Sequence, residues 1–89
     1  MVTAFVLINV EDTKLNEIAD AVLSLPGVSE VHVVAGEYDM IAVIRTTDNT
    51  RLSELLTKHI IHTPGIKRTK TLISLEAYAN FDLDSTFNG

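Results

Sequence analysis

The chain has 89 residues, with 12 acidic against 7 basic side chains, no cysteine and a formal charge of −5. That length allows one small core and one domain, and the charge disfavours nucleic acid and anionic membrane as direct partners. The absence of cysteine excludes disulfide frameworks, thiolate metal sites and cysteine nucleophiles together.

With 46% hydrophobic and 21% charged residues the balance is that of a globular domain rather than a disordered chain. Residues 3–10 read as a strand that is apolar on both faces. The run Ala4 to Val10 lacks a basic leader and is far too short to cross a bilayer, so a soluble, cytoplasmic protein is the expectation. Asp12 and Thr13 offer a helix cap, and Leu15, Ile18, Ala19, Val22 and Leu25 follow at helical spacing until Pro26-Gly27 ends the run. Glu30 to Ala35 predicts a second strand and Met40 to Thr46 a third. Asp48-Asn49-Thr50 caps a second amphipathic helix, with Leu52, Leu55, Leu56 and Ile60 on its inner stripe. Pro64-Gly65 stops it, and Lys67 to Tyr78 predicts a long fourth strand. The domain therefore spans residues 1–79, and 80–89 form a tail.

The order βαββαβ carries a weak internal repeat, because each half runs strand, capped helix, Pro-Gly, strand. Right-handed crossovers turn it into an α+β ferredoxin-like plait: a four-stranded antiparallel sheet with two helices on one face and the first and third strands central. Phe5 and Leu7 then oppose Val6 and Ile8 across the first strand. Two helices cover only one of these apolar faces, which predicts a two-fold dimer packed sheet to sheet.

Between the second and third strands lies a polar tip, Gly36-Glu37-Tyr38-Asp39, on a hairpin whose arms are apolar. Gly36 permits a positive φ and Asp39 favours a turn. A polar loop on a rigid scaffold is a natural binding site. An α-amino acid needs a carboxylate for its ammonium group, and N–H or hydroxyl donors for its carboxylate. Glu37 or Asp39 supplies the first, and Thr69, Lys70 and Thr71 the second. Each has a plainer reading, as solvated turn acids and as good strand formers.

The other chemistry is sparse. His59 and His62 flank the end of the second helix as ordinary dipole partners, with no third metal ligand near them. His32 stands alone in a strand and reads as structural. No nucleophile elbow and no glycine-rich phosphate loop is present, so neither an enzyme nor a cofactor is expected. Lys67, Arg68 and Lys70 balance acids across a subunit boundary. RNA binding by this plait uses aromatics on the central strands, where this chain is aliphatic apart from Phe5.

The runs Leu25-Pro26-Gly27-Val28, Val31 to Met40 and Thr63 to Thr71 resemble the effector domain of the leucine-responsive/AsnC (feast/famine) transcription regulators, the RAM domain. The resemblance covers residues 2–78, and the closing stretch from Ala77 resembles the tail of stand-alone members. It implies a ferredoxin-like dimer that assembles into a ring, usually of four dimers, and binds amino acids in clefts between dimers. It assigns Gly36, Glu37, Tyr38 and Asp39 to that cleft, with Thr69, Lys70 and Thr71 beside them. Family regulators carry an N-terminal helix-turn-helix, whereas this chain starts at the first strand. A stand-alone version is therefore the expectation, acting on transcription by co-assembly with full-length regulators. The competing readings are a small dimeric enzyme, marked by a buried polar pocket holding His32 or His59, and an architectural ring former.

Overall fold

The computed structural model describes residues 1–11 and 14–80. Four strands, β1 (Val2–Val10), β2 (Val28–Val33), β3 (Met40–Thr46) and β4 (Ile66–Ile73), form one antiparallel sheet in the order β2-β3-β1-β4. The strands with the most apolar sequence are central, as expected of the plait. On the helix side Ala4, Val6 and Ile8 of β1 lie beside Ile44, Ala42 and Met40 of β3, all fully buried. The period of two in each strand sends Phe5, Leu7, Ile41 and Val43 to the other face.

The first helix, α1 (Leu15–Leu23), buries Ile18 and Val22, four residues apart on one face. The cap expected at Asp12 and Thr13 lies outside the described residues. Gly27 and Gly65, which follow the two helices, take φ of +94° and +93°, so the internal repeat extends to the backbone.

The second helix starts as α2 (Asn49–Glu54), capped by Asp48, whose carboxylate accepts the Arg51 N–H at 2.9 Å. Replacing Asp48 with alanine is expected to cost about 1 kcal/mol of unfolding free energy. A urea midpoint unchanged from wild type would show that the cap contributes nothing. Where the sequence predicts one regular amphipathic helix, the structure differs. From Leu55 to Ile60 the helix is π, and the Ile61 N–H reaches the Leu56 carbonyl five residues back at 3.3 Å. The cause lies in the spacing of apolar side chains. In an α-helix residue 59 would stand over Leu55, and a histidine would enter the core. The wider turn places Ile60 there instead, fully buried with Leu52 and Leu55, and leaves His59 exposed.

Two strands differ from expectation. β2 lies two residues earlier than predicted at each end, because residues 34–39 form the hairpin loop, closed by the Val34 N–H on the Asp39 carbonyl at 3.0 Å. β4 ends at Ile73 instead of Tyr78. The last rung is the Ser74 N–H on the Thr3 carbonyl at 2.9 Å, beyond which β1 offers almost no further partner. Leu75 and Tyr78 consequently stand in solvent, 93% and 91% exposed. Both edge strands also carry a register shift: Ser29 is extra on β2 and Lys67 on β4. Such bulges twist an edge and make it a poor template for further pairing.

The face without helices has an apolar centre of Phe5, Leu7, Ile41, Val43 and Leu72 by strand alternation and register. Its β4 edge carries Arg68 and Lys70. Its β2 edge carries Glu30 and His32, joined at 2.8 Å, with Arg45 at 4.0 Å from Glu30.

Candidate functional site

The hairpin tip is held from below by β1. Asp39 donates its N–H to the Ile8 carbonyl at 2.9 Å, and its carboxylate oxygen Oδ2 accepts the Val10 N–H at 2.8 Å. Asn9 donates from its side chain to the Glu37 carbonyl at 2.8 Å. Gly36 takes φ of +142°, which lets the chain reverse between Ala35 and Glu37. The result is a fixed platform. Tyr38 and Asp39 are partly buried in it, and the Glu37 side chain stands exposed with no hydrogen bond to a described residue.

The two acids thus separate in role. One Asp39 oxygen is committed to a backbone N–H, so this side chain fixes the tip. The Glu37 carboxylate has no partner among the described residues. Asn9 and the Val10 N–H belong to the platform although sequence reasoning passed over them. The signal was one polar residue inside the apolar run Ala4 to Val10.

Thr69 and Thr71 sit on the helix side of β4, opposite Ile8 and Val6, and both are partly buried. Lys70 is on the other face, opposite Leu7. The Ser74 N–H points toward β1, so by alternation those of Leu72, Lys70 and Arg68 do too. The outward row of this edge strand therefore falls to Thr69, Thr71 and Ile73. Two threonines present both a hydroxyl and a backbone donor at the edge, which is what a carboxylate needs. Within one subunit these donors and the tip are not brought together. Met40, Ile8 and Thr69 lie in one row across β3, β1 and β4, so the hairpin base and Thr69 are two strand spacings, about 10 Å, apart with Ile8 between.

The histidines make no such platform. His32 is exposed on the open face beside Glu30, and His62 is exposed after the second helix. His59 lines an intrasubunit cavity at the opposite end of the sheet, but the charged lining there is exposed, unlike a buried catalytic pocket. Among the described residues no group of three His, Cys, Asp or Glu side chains is placed to hold a metal ion, and no helix is long and apolar enough to cross a membrane.

Comparison with known proteins places this geometry. Residues 3–82 match the profile of the Lrp/AsnC ligand binding domain. The crystal structure of TTHA0845 from Thermus thermophilus superposes with a TM-score of 0.83 at 38% identity, covering 90% of this chain and 100% of that one. The HTH-type transcriptional regulator FL11 of Pyrococcus horikoshii is 35% identical over 75 residues, 84% of this chain and 49% of the regulator. The chain spans about half the length of the curated relatives it matches. The fold is also that of the Neisseria meningitidis regulator NMB0573, solved with L-Met, at a TM-score of 0.80 and 20% identity over 89% of this chain and 53% of that one. By profile, sequence identity and fold alike, the chain belongs to the Lrp/AsnC ligand binding domain family.

Proposed function

We propose that this chain is an amino-acid-sensing and oligomerisation module in transcriptional regulation. Its ligand lies in a cleft between subunits, walled by the hairpin tip of one and the β4 edge of another. The observation that carries the reading is the complementarity of these two surfaces. Glu37 offers an unspent carboxylate for an ammonium group, and Thr69 and Thr71 offer outward donors for a carboxylate. Gly36 and Asp39 hold the tip in shape and Tyr38 flanks the ligand, whereas Lys70, on the open face opposite Leu7, serves the dimer contact. The neisserial regulator of the same fold was solved with L-Met, which supports the ligand class. Any action on DNA runs through a part outside the described residues, such as a full-length regulator in the same assembly.

The sheet face supports a dimer of definite orientation. A two-fold axis parallel to the strands lays the Arg68 and Lys70 edge over the partner's Glu30 and His32. An in-plane axis perpendicular to the strands would set like charges together instead, which costs free energy. A ring of such dimers, an octamer when there are four, brings the tip of one dimer to the β4 edge of the next.

Native mass spectrometry with each of the twenty amino acids tests the reading. Retention of about one ligand per subunit that depends on Glu37 is expected, and an assembly that ignores all twenty would overturn the sensing role. Replacing Glu37 with glutamine is expected to weaken binding about tenfold, or roughly 1.4 kcal/mol, with the assembly unchanged. Full affinity in that variant would remove Glu37 as the ammonium partner.

A further inference from the structure

A cavity of about 430 Å³ opens at the end of the sheet away from the hairpin, walled by Pro26, by Arg45 at the end of β3, and by Arg51, Glu54, Leu55 and His59 of the second helix. Its size suits a small organic molecule. It is well apart from the hairpin: Val2 pairs with Thr46 at the cavity end of the central ladder and Ile8 with Met40 at the other, about 20 Å along the strands.

Two independent features single it out. The helix is π where it borders the cavity, and the extra residue in that turn buries Ile60 and leaves His59 on the cavity wall. π turns are rare, and they recur at functional sites. The second feature is unspent charge. Arg51 and Glu54 are three residues apart, a spacing at which opposite charges on a helix surface meet. Yet neither side chain forms an ion pair or hydrogen bond with a described residue; the ion pairs among the described residues join Glu30 to His32 and Arg45 on the open face of the sheet. The Asp48 cap uses only the backbone of Arg51, so no described residue holds its guanidinium. Beneath this pair, Leu55 supplies an apolar floor and is 3% exposed.

We propose that this cavity is a second ligand site, complete within each subunit, for an α-amino acid with an apolar side chain. Arg51 takes the carboxylate in a charge-assisted, two-pronged bond. Glu54 takes the ammonium group, and Leu55 and Pro26 receive the side chain. His59 rims the mouth. The site requires no neighbouring subunit and stands whether or not the hairpin cleft binds ligand.

The test is a titration of methyl-labelled protein with L-leucine, L-methionine and L-phenylalanine, followed by NMR. The Leu55 methyl signals are expected to shift and saturate with at least one of them. Arg51→Ala should weaken that response at least tenfold, and Glu37→Gln should leave it unchanged. Arg51→Ala keeps the backbone cap, and a wild-type spectrum at Leu7 and Leu72 verifies that it folds. N-acetyl-L-leucine and L-leucinamide each lack one of the two charges, and each should bind at least tenfold more weakly than L-leucine when L-leucine is the responding ligand. No response at Leu55 to any of the three amino acids, or one that Arg51→Ala leaves intact, overturns the site. Binding of the acetylated form as tight as that of the free amino acid overturns the zwitterion assignment.

Discussion

Replacing Gly65 with alanine is expected to lower the unfolding free energy by about 3 kcal/mol, because two costs coincide there. The first is conformational. Gly65 takes φ of +93°, a region in which a residue with a Cβ is strained by about 1–2 kcal/mol. The second is steric. An added Cβ would stand 2.5 Å from Cδ1 and 3.1 Å from Cγ1 of Ile18. Ile18 is 7% exposed and packed in the core, so its rotation disturbs neighbours and adds about 1–2 kcal/mol. The position is pinned, since the Gly65 carbonyl accepts the Glu11 N–H at 2.9 Å and so ties the end of β1 to the start of β4.

Gly36 provides the control. It also takes a positive φ, +142°, but nothing lies within 4 Å of an added Cβ. Gly36→Ala should therefore show the conformational cost alone, and the difference between the variants isolates the packing cost. Urea unfolding at one fixed protein concentration measures both, because assembly makes apparent stability depend on concentration. Equal midpoints for the two variants would show that Ile18 yields freely to the added methyl.

Replacing Phe5 with glutamate is expected to convert the proposed sheet-to-sheet dimer to a 9.8 kDa monomer. Phe5 lies at the centre of the open face, between Val43 of β3 and Leu72 of β4, and remains 38% exposed in the single subunit. In the proposed dimer a carboxylate there is desolvated near the axis, close to its symmetry mate. Burial of an unpaired charge costs several kcal/mol, enough to outweigh a sheet-to-sheet contact. The core under the helices is built from the other face, so the monomer should keep its secondary structure. Sedimentation and far-UV circular dichroism together read both outcomes. An unaltered oligomer would exclude the open face as the dimer contact.

Much of the fold was legible because its determinants are local. The alternation of Ala4, Val6 and Ile8 with Phe5 and Leu7 is a property of successive residues, as is the helical spacing of Ile18 and Val22. From these the element order, the central strands and the second apolar face all follow. The hairpin tip and its charges were also visible, since Gly36, Glu37, Tyr38 and Asp39 interrupt two apolar runs.

What the tertiary structure alone decided depends on residues distant in sequence. Asp39 and Glu37 look equivalent as side chains. Only the approach of β1, about thirty residues away, commits Asp39 to the Val10 N–H and leaves the Glu37 side chain without a partner among the described residues. The bulges at Ser29 and Lys67 arise where edge strands fit the twist of their neighbours, and β4 stops where β1 runs out of partners. The π turn is an intermediate case. Leu55 and Ile60 lie five apart, a spacing the sequence displays, but only packing against the sheet decides that Ile60 is buried in place of His59. Polarity patterns follow each residue's own free energy of transfer to a core. Hydrogen-bond partners and cavities follow from which residues become neighbours, so the order of elements was readable from the sequence and the division of roles within the site was not.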